Sequence, residues 1–186
     1  MPPKIKITKE DITNGAIALV RESGADALNA RALASTLACS TQPIFSNFSD
    51  MNKLTDAVIE KAYKIYLTYL ENEAESGKYP KYKAFGMAYI RFAKEEKELF
   101  KLLFMRDRSA ESKELSPDFL NSVELNMQAL GLTREKAEFF HLEMWAFVHG
   151  IAVMLATSFL ELDEGLIARM SSDVYMGLSK KYLNEV

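Results

Sequence analysis

The side chains of this sequence that could do chemistry cluster near its beginning, and the chemistry they offer is hydrogen bonding. Between residues 28 and 48, polar residues alternate with apolar ones at helical spacing. Arginine, serine and asparagine donate hydrogen bonds to phosphate oxygens, and glutamine can bond the edge of an adenine. The stretch therefore predicts a surface for duplex DNA. Its candidate contacts are Arg31, Ser40, Thr41, Gln42, Pro43, Phe45, Ser46, Asn47 and Lys53.

Two short helices joined by a tight turn would position those side chains. Apolar spacing predicts helices at about 30–37 and 41–47, with Ser40 as the cap of the second. In a helix-turn-helix the second helix lies in the major groove and the first crosses the backbone. Thr41, Gln42, Pro43 and Ser46 would then face base edges. The backbone contacts would come from Arg31, Ser40, Asn47 and Lys53.

This pattern resembles the helix-turn-helix of the tetracycline-repressor family over about residues 10–60. The resemblance is carried by residues 29–34 (NARALA), 38–40 (ACS) and 44–48 (IFSNF), followed by Leu54. It implies a DNA-binding transcription regulator, by family default a repressor. It also implies homodimers that bind operator half-sites and a C-terminal region that binds a small ligand.

Three positions depart from the family pattern. Ala38 stands where the turn usually has glycine, so this position must accept a Cβ atom. Phe45 replaces a tyrosine whose hydroxyl would reach a phosphate, and Met51 replaces a lysine. Fewer phosphate contacts release fewer counterions, so we expect weak non-specific affinity and a shallow salt dependence.

Composition and charge limit the interpretation only loosely. The 186 residues carry a formal net charge of −3, and the first fifty contain five basic and five acidic residues. Charge therefore neither supports nor excludes DNA binding. One cysteine rules out a disulfide within the chain, and the first residues lack an apolar signal segment. We expect a cytoplasmic, reduced protein.

The remaining sequence predicts more helices, which makes the fold class all-α with about nine helices. We expect a DNA-binding domain at residues 1–50 and a helical ligand-binding and dimerisation domain at residues 51–186. The predicted helices span about 9–23, 30–37, 41–47, 51–75, 80–95, 96–105, 117–130, 133–160 and 163–184.

Aromatic residues and methionines are concentrated in the C-terminal part. Apolar ligand sites are lined by such residues, although plain core packing is the better explanation for any single one of them. Residues 145–150 (WAFVHG) resemble a C-terminal domain of the family named for its Trp, His and Gly. Gly150 would permit a close helix approach. The candidate contacts to a small apolar effector are Phe104, Met127, Trp145 and His149.

Residues 144–160 contain no Asp, Glu, Lys or Arg. The run is shorter than the roughly 20 residues of a membrane span, so we interpret it as a helix covered on all sides. Its own domain would cover one side. A two-fold partner would cover the other, which predicts a homodimer through the last two helices.

Two alternatives remain at this stage. Glu138 and His141 form one Glu-x-x-His pair of the kind that di-iron bundles use twice, but the second pair is missing. We therefore expect no enzyme, no catalytic residue, no metal and no cofactor. The second alternative is a protein of the same fold that binds a protein partner instead of an operator, which Phe45 and Met51 would suit.

Overall fold

The computed structural model describes residues 7–109 and 116–184, and in these ranges the chain is helical without strands. The predicted all-α class with about nine helices is confirmed. The helices are α1 (Lys9–Ser23), α2 (Ala30–Thr36), α3 (Gln42–Asn47), α4 (Met51–Glu75), α5 (Lys81–Glu95), α6 (Lys97–Phe104), α7 (Pro117–Leu130), α8 (Arg134–Ala156) and α9 (Glu164–Asn184), with a 3-10 turn at Ala25–Ala27.

Local hydrogen bonds explain where most helices begin. At α1 the Thr8 hydroxyl accepts from the Asp11 amide, and the Asp11 carboxylate accepts from the Thr8 amide in return. Thr133 caps α8 by accepting from the Lys136 amide at 3.4 Å. Asp163 caps α9 by accepting from the Leu166 amide at 2.9 Å. These helix starts follow from neighbouring residues, which is why the sequence predicts them.

The first of two compact units contains Met1–Leu67 and Glu96–Arg106. In it α1 packs against α2, α3 and α6. Arg21 of α1 donates to both carboxylate oxygens of Glu96, at 2.8 and 2.6 Å, and this pair joins α1 to the start of α6. The fully buried side chains of this core include Ile12, Val20, Leu33, Ile44, Leu54, Val58, Leu99 and Phe100.

The second unit contains Thr68–Glu95 and Asp107–Val186. Its central helix is α8, which packs against α5, α7 and α9. Phe140 of α8 is fully buried, and it meets the rings of Tyr175 and Tyr182 of α9 edge-on at 5.3 and 5.8 Å. α4 contributes to both units. The assignment of residues 1–50 and 51–186 to two functional domains stays a prediction.

α8 is long and apolar enough to cross a membrane by length and composition alone. Its most apolar 18-residue window has a mean hydropathy of 1.5, and 39% of that window is buried inside the chain. The core helix of a folded domain passes the same test. α8 packs against α5, α7 and α9 and also carries exposed apolar residues.

α8 ends at Ala156, four residues before the predicted end at 160. The amide of Ser158 donates to the carbonyl of Leu155, and the amide of Phe159 donates to that of Met154. This is the Schellman arrangement, with Ser158 as the left-handed residue at φ 56°. The backbone therefore closes the helix although the apolar residues continue.

α2 ends in the same arrangement, and its left-handed residue is Ala38 at φ 49°. The amide of Ala38 donates to the carbonyl of Ser35 at 3.1 Å, and that of Cys39 to Ala34 at 2.9 Å. A Cβ atom makes this conformation unfavourable by roughly 1–2 kcal/mol. The turn of the helix-turn-helix therefore accepts alanine, but with backbone strain.

Replacing Ala38 by glycine should raise the free energy of unfolding by about 0.5–1 kcal/mol, because glycine removes that strain and loses some of the gain to its larger unfolded-state entropy. Urea denaturation at fixed protein concentration measures the change. Ala32→Gly is the matched control within α2 and should lower the free energy by a similar amount. A destabilised Ala38→Gly variant would contradict the assignment of strain.

Candidate DNA interface and interior polar site

α3 places the central candidate side chains on one exposed face. Ile44 is fully buried in the first unit, whereas Gln42 and Ser46 are exposed and Phe45 is 49% exposed. Pro43 lies in the first turn, where its missing N–H leaves no helical bond unmade. The short helix therefore presents polar groups and one aromatic ring to solvent while one branched side chain anchors it.

Two of the candidate side chains on α3 are engaged within the unit. The Ser46 hydroxyl donates to the carbonyl of Gln42 at 2.9 Å. The Asn47 amide donates to the carbonyl of Pro43 at 2.8 Å and to that of Ile7 at 3.4 Å. Asn47 therefore ties the end of α3 to the segment before α1, and the Ser46 oxygen keeps acceptor capacity for a ligand.

The cap predicted at Ser40 is wrong. The residue before α3 is Thr41, whose backbone is helical at φ −71° and ψ −15°, and neither it nor Ser40 caps the helix with its side chain. A capping oxygen bonds the second or third amide of a helix, and the second residue here is Pro43, which has none. Thr41 is half-buried and Ser40 exposed.

Arg31 and Lys53 are exposed at the starts of α2 and α4. Asn29 caps α2, because its side-chain oxygen accepts from the Arg31 amide at 3.1 Å. The Lys53 ammonium lies 3.3 Å from Asp56, and both side chains are about two-thirds exposed. Such surface pairs contribute little free energy, so this contact does not prevent Lys53 from reaching a phosphate.

Met51, the first residue of α4, is half-buried. Met51→Lys should steepen the dependence of log affinity on log salt by about one unit, because one more phosphate contact releases one more counterion. Fluorescence anisotropy with a labelled duplex at several salt concentrations measures the slope. Leu120→Lys, an exposed position of α7, adds the same charge in the second unit and should leave the slope unchanged. An unchanged slope for Met51→Lys removes this residue from the interface.

The four candidate ligand contacts do not form one group. Phe104 belongs to the first unit and packs on Tyr66 and Phe100, with ring centroids 5.3 and 5.2 Å away. Met127 packs on the apolar cluster around Phe140 in the second unit. The structure brings together only Trp145 and His149, whose rings stack at 4.8 Å with an interplanar angle of 11°.

Two tyrosine–histidine pairs join α5 to α8, and sequence reasoning missed both. The Tyr82 hydroxyl lies 3.0 Å from Nδ1 of His141, and the Tyr89 hydroxyl lies 2.8 Å from Nδ1 of His149. The tyrosines are seven residues apart on α5 and the histidines eight apart on α8. The only signal in the sequence is this similar spacing.

Burial keeps both pairs uncharged near neutral pH. It lowers the pKa of His141 to about 4 and also lowers the pKa of His149. It raises the pKa of Tyr82 and of Tyr89 well above the ordinary value. Each neutral pair shares one hydrogen bond, and the histidine tautomer decides whether the tyrosine O–H or the Nδ1–H is its donor.

Acidification from pH 7 to pH 5 should lower the free energy of unfolding, and His141→Phe should flatten that fall. The unfolded chain binds a proton at His141 near pH 6.5, whereas the folded chain binds it only near pH 4. The contribution of neutral His141 to the free energy of unfolding is therefore fully present above pH 6.5 and decreases as the pH falls towards 4. Urea denaturation along a pH series measures it, with His149→Phe as the comparison. An equal slope in His141→Phe and the unchanged chain would contradict the burial of His141.

The Glu138–His141 pair is not part of a metal cluster in the part of the chain that the structure describes. No group of three or more His, Cys, Asp or Glu that could hold an ion occurs there. Glu138 lies 4.0 Å from the guanidinium of Arg134, and Nδ1 of His141 meets Tyr82. These contacts account for both residues of the pair.

α8 and α9 carry an exposed apolar face. On α8, Phe139 is 57% and Trp145 is 40% exposed, and Ala146 and Gly150 are exposed on the same helix. A Cβ atom added at Gly150 would meet nothing within 4 Å among the described residues. Packing within this part of the chain therefore does not require glycine at this position. The other exposed large apolar residues of these two helices are Leu142, Leu166, Met176 and Leu183.

Comparison with known proteins agrees with this architecture. Residues 82–171 match the family described as "Tetracyclin repressor-like, C-terminal domain". A protein of unknown function from Rhodococcus sp. RHA1 has a similar structure, with a TM-score of 0.70 and 22% identity, over 92% of this chain and 95% of that one. No curated protein matches the sequence.

A TetR variant from Acinetobacter baumannii AYE, solved in complex with minocycline, is also similar in structure. The TM-score is 0.56 at 18% identity, over 95% of this chain and 97% of that one. At such identities the two structural matches show the shared fold. The Trp-His-Gly subtype suggested by residues 145–150 stays a prediction.

Proposed function

We propose that this chain, whose residues 82–171 match the tetracycline-repressor-like C-terminal domain, is a ligand-responsive, sequence-specific DNA-binding transcription regulator of that family. We assign it the role of a repressor that a small apolar ligand releases from its operator. The proposal includes no catalysis and no cofactor. It places the protein in the cytoplasm and away from membranes.

The observation that carries the proposal is the exposed face of α3. A helix of only six residues follows a tight turn, buries Ile44 and exposes Gln42, Phe45 and Ser46. That is the arrangement in which a recognition helix can enter a major groove. Gln42, at the N-terminal end of α3, is the side chain best suited to bond an adenine.

The apolar face of α8 and α9 supports a homodimer through these two helices. Large exposed apolar patches on a folded protein mark interaction surfaces. Exposed small residues at Ala146 and Gly150 would let the α8 helices of two copies approach closely. A two-fold dimer presents two copies of α3, and palindromic operators require that symmetry.

The second unit is the place that we assign to the effector. Its interior is rich in aromatic rings, and the minocycline complex shows a small molecule bound to the similar Acinetobacter protein. A ligand that prefers one conformation of this unit shifts the equilibrium between DNA-binding and released states.

A gel shift with the intergenic DNA upstream of the chain's own gene tests the proposal. We expect a shift that unlabelled specific DNA competes away and scrambled DNA of equal length does not. A native dimer that gives no sequence-specific shift at low salt would refute operator binding. That result would favour the alternative, a protein partner for α3, which the 49% exposure of Phe45 suits.

A further inference from the structure

Asn126 of α7 is a fully buried polar residue in the apolar second unit. Its amide nitrogen donates to the carbonyl of Ser122 at 3.1 Å. Its carbonyl oxygen, Oδ1, is buried and has no hydrogen-bond partner among the described residues. A buried acceptor without a donor costs free energy, and native proteins keep few of them. Such a group calls for an explanation.

The surroundings of Asn126 are aromatic. Phe119, Ser122 and Asn126 lie three and four residues apart, so they share one face of α7. The ring of Phe119 meets the ring of His141 edge-on at 4.5 Å, which directs this face towards the Tyr82–His141 pair. Tyr82 in turn lies against Phe140 and Tyr175, with centroids 6.3 and 5.8 Å away.

The Asn126 side chain lies close to the Tyr82–His141 pair. Asn126 opposes part of the rise that burial causes in the pKa of Tyr82. The Tyr82 hydroxyl shares a hydrogen bond with Nδ1 of His141. The Asn126 amide nitrogen donates to Ser122, whereas the acceptor Oδ1 has no partner among the described residues.

An apolar residue would suit a core position better than this asparagine does. Sequences break local packing rules of this kind mainly where function requires it. The network carries no charge at neutral pH, because His141 and Tyr82 are both neutral. An ion beside Asn126 would therefore lose its hydration without gaining a counter-charge from either of them.

We propose that Asn126 is the polar contact of the effector site, and that the effector is an uncharged aromatic molecule whose hydroxyl or amide N–H donates to Oδ1. This assignment rests on the proposed function of the second unit as a ligand sensor. The rings of Tyr82, Phe119 and Phe140 contact the apolar body of the ligand. Because Asn126 is fully buried, half-buried Phe119 must move to admit it.

Isothermal titration of the full chain with three related probes tests the proposal. The probes are naphthol, its methyl ether and naphthoate, which share one ring system and differ in donor and charge. We expect naphthol to bind at least tenfold more tightly than either of the others. Failure of naphthol to bind, or equal binding of its methyl ether, would overturn the proposal.

Substitutions at Asn126 test whether this residue contacts the ligand. Asn126→Leu and Asn126→Ala should each weaken naphthol binding at least tenfold and leave the weak binding of the methyl ether unchanged. Trp145→Phe, at the stacked Trp145–His149 pair of α8, should retain naphthol binding. Loss of binding in Trp145→Phe, with retention in both Asn126 variants, would overturn the proposal.

A thermal melt of the ligand-free chain separates this role from a structural one. Asn126→Leu removes an unsatisfied acceptor, so its melting temperature should be equal to or above that of the unchanged chain. A large decrease in both Asn126 variants would show that the residue serves folding and would overturn the proposal. No DNA is present in these experiments, so a failure of operator binding leaves their outcome intact.

Discussion

Gly150→Arg converts the proposed dimer into a folded monomer and lowers its affinity for a palindromic operator by a factor of about 100 or more. Gly150 is exposed on α8, and a Cβ atom added there meets nothing within 4 Å among the described residues. Arginine also has a higher helix propensity than glycine, so the monomer fold is preserved. In the dimer the same arginine buries a charge in an apolar interface. The operator affinity falls because two linked half-site contacts become one.

Sedimentation equilibrium measures the dimer, and anisotropy with labelled operator measures the affinity. Trp145 is the only tryptophan and lies on the same helix, so its emission should shift to longer wavelength on dissociation. Ala129→Arg places the same charge at an exposed position of α7 and should change neither quantity. A Gly150→Arg variant that remains dimeric would place the interface elsewhere.

Gln42→Ala should weaken binding to the specific operator about tenfold or more while leaving non-specific affinity nearly unchanged. A good bidentate contact to a base discriminates by roughly 1–3 kcal/mol, and non-specific binding depends on phosphates instead. Gln42 is exposed at the start of α3, so the substitution leaves the packing of Ile44 intact. The effect should therefore be confined to specific DNA.

Lys53→Ala provides the contrast for Gln42→Ala. Lys53 is a predicted phosphate contact, so its loss should weaken specific and non-specific binding by the same factor. Competitive titration with operator and scrambled duplexes, at one stated salt concentration, measures both affinities. If Gln42→Ala lowers the two equally, Gln42 is not a base reader.

The helices could be predicted because their ends depend on neighbouring residues. The Thr8–Asp11 capping box and Gly24, which adopts a positive φ of 81°, define α1 within a few residues of sequence. The apolar run past Ala156 misled the prediction for α8, because Ser158 closes that helix by its backbone conformation. The spacing of apolar residues does not indicate where a serine adopts the left-handed backbone conformation.

The interior polar site could not be predicted in the same way. Tyr82 and His141 are 59 residues apart, and Tyr89 and His149 are 60 apart. Their contacts depend on how α5 and α8 pack side by side, which local patterns do not encode. Trp145 and His149, four apart on one helix, were found because helical geometry alone brings them together. The unsatisfied oxygen of Asn126 is a property of the packed unit.

Selection of bound sequences from a pool of random duplex DNA tests the central claim most directly. A two-fold dimer that reads DNA through α3 should enrich an inverted repeat whose half-sites lie one helical turn, about 10 base pairs, or a multiple of it apart. Gln42→Ala should lose the preference at one position in each half-site. No enrichment by the native dimer, or enrichment of a single asymmetric site, would contradict the account.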